Sequence, residues 1–71
     1  MKYFLLEIET LIDGTQAQAI TEKSSEDEAV AAFHTTLGYA MNNDDVKHIY
    51  CAAINDEGGV YQSAAWTRIA E

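Results

Sequence analysis

Three side chains in this sequence have the chemistry of a nucleophile, a general base or a soft metal ligand: His34, His48 and Cys51. A Cys–His nucleophile needs both side chains within hydrogen-bonding reach, which only His34 crossing a helix–sheet interface to Cys51 would give. His48 and Cys51 lie three residues apart on a predicted strand, where alternation sends them to opposite faces. They cannot bind one metal ion without a bulge. We therefore expect no catalytic, metal or cofactor site, with a small Cys/His enzyme as a distant alternative.

Two polar runs resemble ligand loops but are better explained by local structure. The run 42–45, Asn-Asn-Asp-Asp, lacks the alternating acids, central glycine and closing glutamate of an EF-hand, so it predicts a helix end. The run 56–59, Asp-Glu-Gly-Gly, is followed by neither a lysine nor a helix, so it predicts a hairpin turn rather than a phosphate cradle.

Chain length limits how this protein can be stabilised. Its 71 residues predict a single domain, 1–71. A domain of this size buries only about 60% of its unfolded surface, so small chains often rely on disulfides, metals or oligomerisation. One cysteine excludes an internal disulfide and favours a reducing compartment. Oligomerisation is the aid that remains.

The charge balance bears on the kind of partner. Twelve acidic residues oppose four scattered basic ones, giving a net charge of −8, which argues against phosphate contacts with DNA or RNA. The acidity favours solubility. An alternative hypothesis is an acidic inhibitor that mimics nucleic acid, and it requires a continuous acidic stripe. The candidate residues for that stripe are Glu22, Glu26, Asp27, Glu28, Asp44 and Asp45.

The sequence also predicts a location. Glu7 and Glu9 interrupt the apolar run 3–6 at once, so we expect no signal peptide. No stretch reaches the roughly 18 apolar residues of a membrane span. These features predict a cytoplasmic protein that binds no membrane.

The first half of the chain predicts a β-hairpin. Residues 2–12 alternate as a strand, Asp13-Gly14 is a two-residue turn signal, and 15–22 return as the second strand. This turn would place Leu6 opposite Thr21. We expect the helix to cover the face that holds Phe4, Leu6, Ile8 and Ile12, because small residues face them on the second strand.

A helix follows the first hairpin. Ser25 with Glu28 three residues later forms a capping box, with Ser24 and Asp27 as a close rival. The helix is predicted to end near Met41, and Gly38 suggests close packing. Its buried stripe is predicted to comprise Ala29, Val30, Phe33, Leu37, Ala40 and Met41.

The last third predicts a second hairpin, with strands at 46–55 and 60–69. A three-residue loop with a glycine bulge would group Tyr50, Ala52 and Ile54 with Val60, Ala64 and Trp66, and we favour this register. A loop one residue different would group Trp66 with Ile49, Cys51 and Ala53.

The predicted fold is α+β, in the order β-β-α-β-β, with a four-stranded antiparallel sheet and one helix packed on one face. Apolar residues then remain on the far face, and such a face usually meets a partner. We therefore expect a non-enzymatic protein-interaction module that forms a homo-oligomer, most simply a dimer, or binds another protein. The second hairpin is the favoured docking region. The predicted interface residues are Tyr3, Leu5, Ile20, Ile49, Cys51 and Tyr61.

Two segments carry a resemblance. The segment 48–61, with Trp66 and Arg68 after it, and the helix segment 27–34 resemble small uncharacterised proteins of prophages and mobile elements in Gram-positive bacteria. These proteins have no known activity, so the resemblance assigns no site residue. It implies a bacterial host cell and a phage-encoded gene.

Overall fold

A computed structural model describes residues 1–69, and within them the predicted fold is confirmed. The elements are β1 (Tyr3–Leu11), β2 (Gln16–Lys23), α1 (Glu26–Met41), β3 (Val46–Asn55) and β4 (Val60–Thr67). The four strands form one antiparallel sheet in the order β2-β1-β3-β4. The helix packs on one face of this sheet, which gives a single α+β domain.

The helix begins where the capping signal predicts. The N-cap residue Ser25 has extended backbone, and its side chain accepts a hydrogen bond of 3.1 Å from the Glu28 N–H. The Glu28 carboxylate in turn accepts a hydrogen bond from the Ser24 hydroxyl, which lowers the pKa of that carboxyl group. Both serines therefore stabilise the first turn, which also carries three acidic side chains near the positive end of the helix dipole.

The helix ends at Met41 and is tied to the sheet by an arginine. Asn42 has a right-handed conformation, with φ −93°, and its side chain donates to the Gly38 carbonyl at 3.0 Å. Arg68 donates to the Asn43 carbonyl at 2.8 Å and to the Val46 carbonyl at 3.0 Å. This guanidinium group supplies positive charge at the helix C-terminus, where the last turn has no basic residue.

The first hairpin has a longer loop than predicted. Leu11 and Thr15 close a three-residue loop through a 2.8 Å bond from the Leu11 N–H to the Thr15 carbonyl, and Gly14 has φ +91°. A type I turn followed by a left-handed glycine gives this loop. The Asp13 carboxylate accepts the Thr15 N–H at 2.9 Å, and this bonding lowers the pKa of Asp13. The predicted two-residue turn is therefore wrong.

The longer loop moves every pair in this hairpin by one residue. Leu6 lies opposite Ile20 rather than Thr21. Ile8 lies opposite Gln18 rather than Ala19. Because paired residues share a face of the sheet, Ile20 joins Leu6 and Ile8 on one side.

The second hairpin combines the predicted loop with an unpredicted bulge. Its three-residue loop has Gly58 at φ +88°, and the Asn55 side chain accepts the Gly59 N–H at 2.8 Å. The register then shifts by one residue beside Ala53, with Tyr61 as the extra residue. Beyond this bulge Trp66 lies opposite Ile49, so the favoured register is wrong there and its alternative is correct.

Tyr61 accounts for the bulge. Its hydroxyl accepts a hydrogen bond of 2.9 Å from the Asn55 side-chain amide, and its ring centroid lies 6.1 Å from that of Tyr3. The extra residue turns this ring toward the core, where it packs against the buried cluster under the helix.

The helix covers the opposite face from the one predicted. It contacts β3 more than any other strand, over Cys51 and Ala53, which are fully buried. Small side chains there allow close approach, and Phe33 fills the space between the layers. The prediction places these small residues on β2, but β2 is exposed along nearly its whole length. Met41, predicted to be buried, is 42% exposed.

Gly38 does not serve close packing, and this gives a test of the helix. No heavy atom outside its local helix lies within 4 Å of the position that a Cβ would occupy, and its φ is not positive. Gly38→Ala should therefore raise the free energy of unfolding by about 0.5–1 kcal/mol, because alanine favours the helix. Urea denaturation followed by circular dichroism measures this change.

The matched control is the same substitution at Gly58, where φ is +88°. A Cβ in this conformation is strained, so Gly58→Ala should lower stability by about 1 kcal/mol. Equal effects of the two substitutions would contradict this account of the helix.

Candidate interaction surface

The face of the sheet that points away from the helix is apolar and uncovered. We call it the open face. Strand pairing places alternate residues of all four strands on it. Its apolar members are Phe4, Leu6, Ile8, Ile20, Tyr50, Ala52, Ile54, Val60 and Ala65.

One row of side chains crosses the middle of the open face. Leu6 pairs with Ile20 on one side and with Ala52 on the other, and Ala52 pairs with Ser63. The row therefore runs Ile20, Leu6, Ala52, Ser63 from the β2 edge to the β4 edge. In this row the large side chains lie on β2 and β1, and the small side chains lie on β3 and β4.

Large apolar side chains at both edges of the open face are strongly exposed. Ile20 is 67% exposed and Val60 is 60% exposed. Ala52 is only 1% exposed although no second layer from residues 1–69 covers it, because the larger side chains around it exclude water. An exposed contiguous apolar patch on a small domain usually marks an interaction site.

Charge is distributed away from the open face. Within the four strands, Glu22 is its only carboxylate, and it lies at a corner in the pair with Phe4. Glu7 and Glu9 lie on the other side of the sheet, where they line a shallow depression with Ala17 and Ala19 that the helix does not cover. Burial of the open face would therefore remove few of the acidic groups of the strands from water.

The structure corrects most of the predicted interface. Leu5, Ile49 and Cys51 are buried beneath the helix and cannot form a surface. Tyr3 and Tyr61 are partly buried and pack against the same core. Ile20 alone lies on the open face.

Sequence reasoning missed Phe4, Leu6 and Ile8 as surface residues. Their i, i+2 spacing is visible in the sequence, but the prediction assigns it to the helix-covered face. Because these residues lie on β1, the first hairpin contributes to the open face as much as the second.

The acidic residues do not form the continuous stripe that nucleic-acid mimicry requires. Glu26, Asp27 and Glu28 lie in the first turn of the helix, whereas Asp44 and Asp45 follow its last turn. A helix of 16 residues separates these groups by about 24 Å. The exposed helix positions between them carry no acid and comprise Ala31, His34, Thr35, Tyr39 and Met41.

The side chains with catalytic chemistry lie apart. His34 is exposed and packs edge-on against Phe33, with ring centroids 5.1 Å apart, whereas Cys51 is buried under the helix. His48 bonds the Thr67 hydroxyl at 2.6 Å, on the face opposite Cys51 as alternation predicts. Among residues 1–69, no three His, Cys, Asp or Glu side chains cluster as metal ligands.

The one helix of the described chain is not of a kind that could cross a membrane. Comparison with protein-family models, with curated proteins and with solved structures gave no match.

Burial determines the reactivity of Cys51. Desolvation raises the pKa of this thiol, and the nearby Glu7 charge raises it further. The thiolate is the reactive form, so the buried thiol should react poorly.

This predicts slow modification of native Cys51 by Ellman's reagent at pH 8 and full reaction after denaturation. The control is Thr35→Cys, which adds a thiol at an exposed helix position outside the open face and should introduce a fast second phase. Fast modification of native Cys51 would contradict its place in the core.

Proposed function

We propose that this protein is a non-enzymatic interaction module that self-associates through its sheet, most simply as a homodimer. The observation that supports this most strongly is the open face, with apolar side chains on all four strands and no covering layer from residues 1–69. The resemblance to small prophage proteins supports a bacterial, cytoplasmic setting and specifies no further partner.

The energetics of a small domain support this proposal. Burial of apolar surface contributes about 25 cal/mol per Å², and a 71-residue chain has little other means of stabilisation. A helix 16 residues long covers one face of the sheet only. A second layer on the open face would bury its apolar side chains in the way that two packed sheets do in a β-sandwich.

Charge favours a second copy over a charged partner. The open face has one carboxylate, at a corner, while the chain as a whole carries −8. Two copies joined at this face would keep most of their acidic groups in water. Their like charges would still repel at long range, and added salt would screen that repulsion. Self-association should therefore strengthen with ionic strength, whereas binding to a basic partner should weaken.

Sedimentation equilibrium over a concentration series tests the proposal. The weight-average mass should rise from the 7.8 kDa of one chain toward twice that value, at lower concentration in 0.5 M than in 0.05 M salt. A mass that stays at 7.8 kDa up to millimolar protein in both buffers would contradict self-association.

A further inference from the structure

We infer that two copies pack open face against open face about a two-fold axis parallel to the strands, so that β1 of each copy lies over β3 of the other. This inference rests on the proposed self-association and specifies its geometry. The observation that supports this geometry is the order of large and small side chains in the central row of the sheet.

The strand order places unlike strands over one another about this axis. The sheet runs β2-β1-β3-β4, so its midline falls between β1 and β3. A two-fold axis along that midline places β1 over β3 and β2 over β4. Each cross-strand row then lies over the same row of the other copy, with the order of the strands reversed.

The central row shows the consequence. Leu6 comes over Ala52 of the other copy, and Ile20 comes over Ser63. In this row each large side chain therefore meets a small one, which allows the two layers to interdigitate there.

The neighbouring rows do not distinguish the axes. Phe4 comes over Ile54 and Ile8 comes over Tyr50 of the other copy, so large side chains meet in both of these rows.

The other in-plane two-fold axis, perpendicular to the strands, fits less well. It places β1 over β1 and β2 over β2, so in the central row Leu6 meets Leu6 and Ile20 meets Ile20. Ala52 and Ser63 would then lie over the same residues of the other copy and leave this row poorly packed.

The available area suits a reversible dimer. Four strands about 4.8 Å apart and eight residues long at about 3.3 Å each give a flat face of roughly 500 Å². Side-chain relief increases the accessible area beyond this projection. Standard interfaces bury about 800 Å² per partner, so we place this one toward the low end and expect it to dissociate on dilution.

The competing arrangement is edge pairing through β2. This strand is exposed, and Gln16–Lys23 contains no proline and no bulge, so its free edge resembles a strand-pairing site. Edge pairing would extend the sheet but leave the open face uncovered. We therefore favour face packing and treat edge pairing as an outcome of the test.

The first test compares two isoleucines of similar exposure. Ile20 lies on the open face and is 67% exposed, whereas Ile12 lies in the first hairpin loop and is 63% exposed. Ile20→Lys should weaken the dimer about tenfold or more, because it places an ammonium group in the apolar layer twice per dimer. Ile12→Lys makes the same change of charge and should leave the dimer unchanged.

The second test is a charge exchange between positions that meet only across the interface. Ile20 and Ser63 lie at opposite edges of one sheet, about 14 Å apart within a chain, but face each other between copies. Ser63→Glu alone should also weaken the dimer. The double variant Ile20→Lys/Ser63→Glu keeps the parent net charge and should bind more tightly than either single variant.

Sedimentation equilibrium of the parent and these four variants separates the possible results, with circular dichroism to verify folding. Weakening by both single variants and recovery in the double variant support face packing about this axis. If Ile20→Lys weakens the dimer and Ser63→Glu has no effect, the contact lies at the β2 edge. This result overturns the inference about face packing, whereas the proposed self-association stands. Equal effects of Ile20→Lys and Ile12→Lys also overturn it. A monomeric parent overturns the proposed function itself.

Discussion

One helix can cover one face of a four-stranded sheet, and the sheet of this protein is apolar on both faces. The helix lies over β3, where Cys51 and Ala53 are small enough for close approach and Phe33 fills the gap. The buried side chains of the helix all pack against this face of the sheet. No second layer from residues 1–69 covers the opposite face, with Phe4 and Leu6, so this face either meets a partner or remains in water.

Two hairpin glycines and the bulge at Tyr61 determine on which face Ile20 and Trp66 lie. Gly14 and Gly58 each provide the left-handed position of a three-residue hairpin loop. The first loop brings Ile20 onto the same side as Leu6. The bulge at Tyr61 shifts the second hairpin so that Trp66 joins Ile49 under the helix.

Much of the fold follows from local signals in the sequence. Alternation located the four strands, and Ser25 with Glu28 located the start of the helix. The face that the helix covers could not be predicted in this way, because both faces of β1 carry large apolar residues. That choice depends on which strand lies beneath the helix, which is a long-range property of the strand order.

The registers show a second limit of local reasoning. Asp13-Gly14 fits a two-residue turn by composition, but the Asp13 side chain bonds the Thr15 N–H and favours the longer loop. The bulge at Tyr61 depends on contacts with Tyr3 and Asn55, which come from other parts of the fold. The candidate interface changed accordingly, from residues beneath the helix to residues opposite it.

The clustering of apolar side chains on a nearly uncharged face, in a chain of net charge −8, is the physical basis of the proposed self-association. Long-range repulsion between acidic copies keeps such an association weak and reversible. The acids at the two ends of the helix would remain in water in the proposed dimer, so charge would affect the strength of association and the central row would determine its geometry.

The most direct measurement is an isotope-filtered NOE experiment on an equal mixture of labelled and unlabelled protein. Within one chain the Ile20 methyl groups and the Ser63 β-protons are about 14 Å apart, too far for an NOE. Our account predicts an intermolecular NOE between them, together with one between Leu6 and Ala52. Intermolecular NOEs confined to the β2 backbone, or none at concentrations where the protein is dimeric, would contradict it.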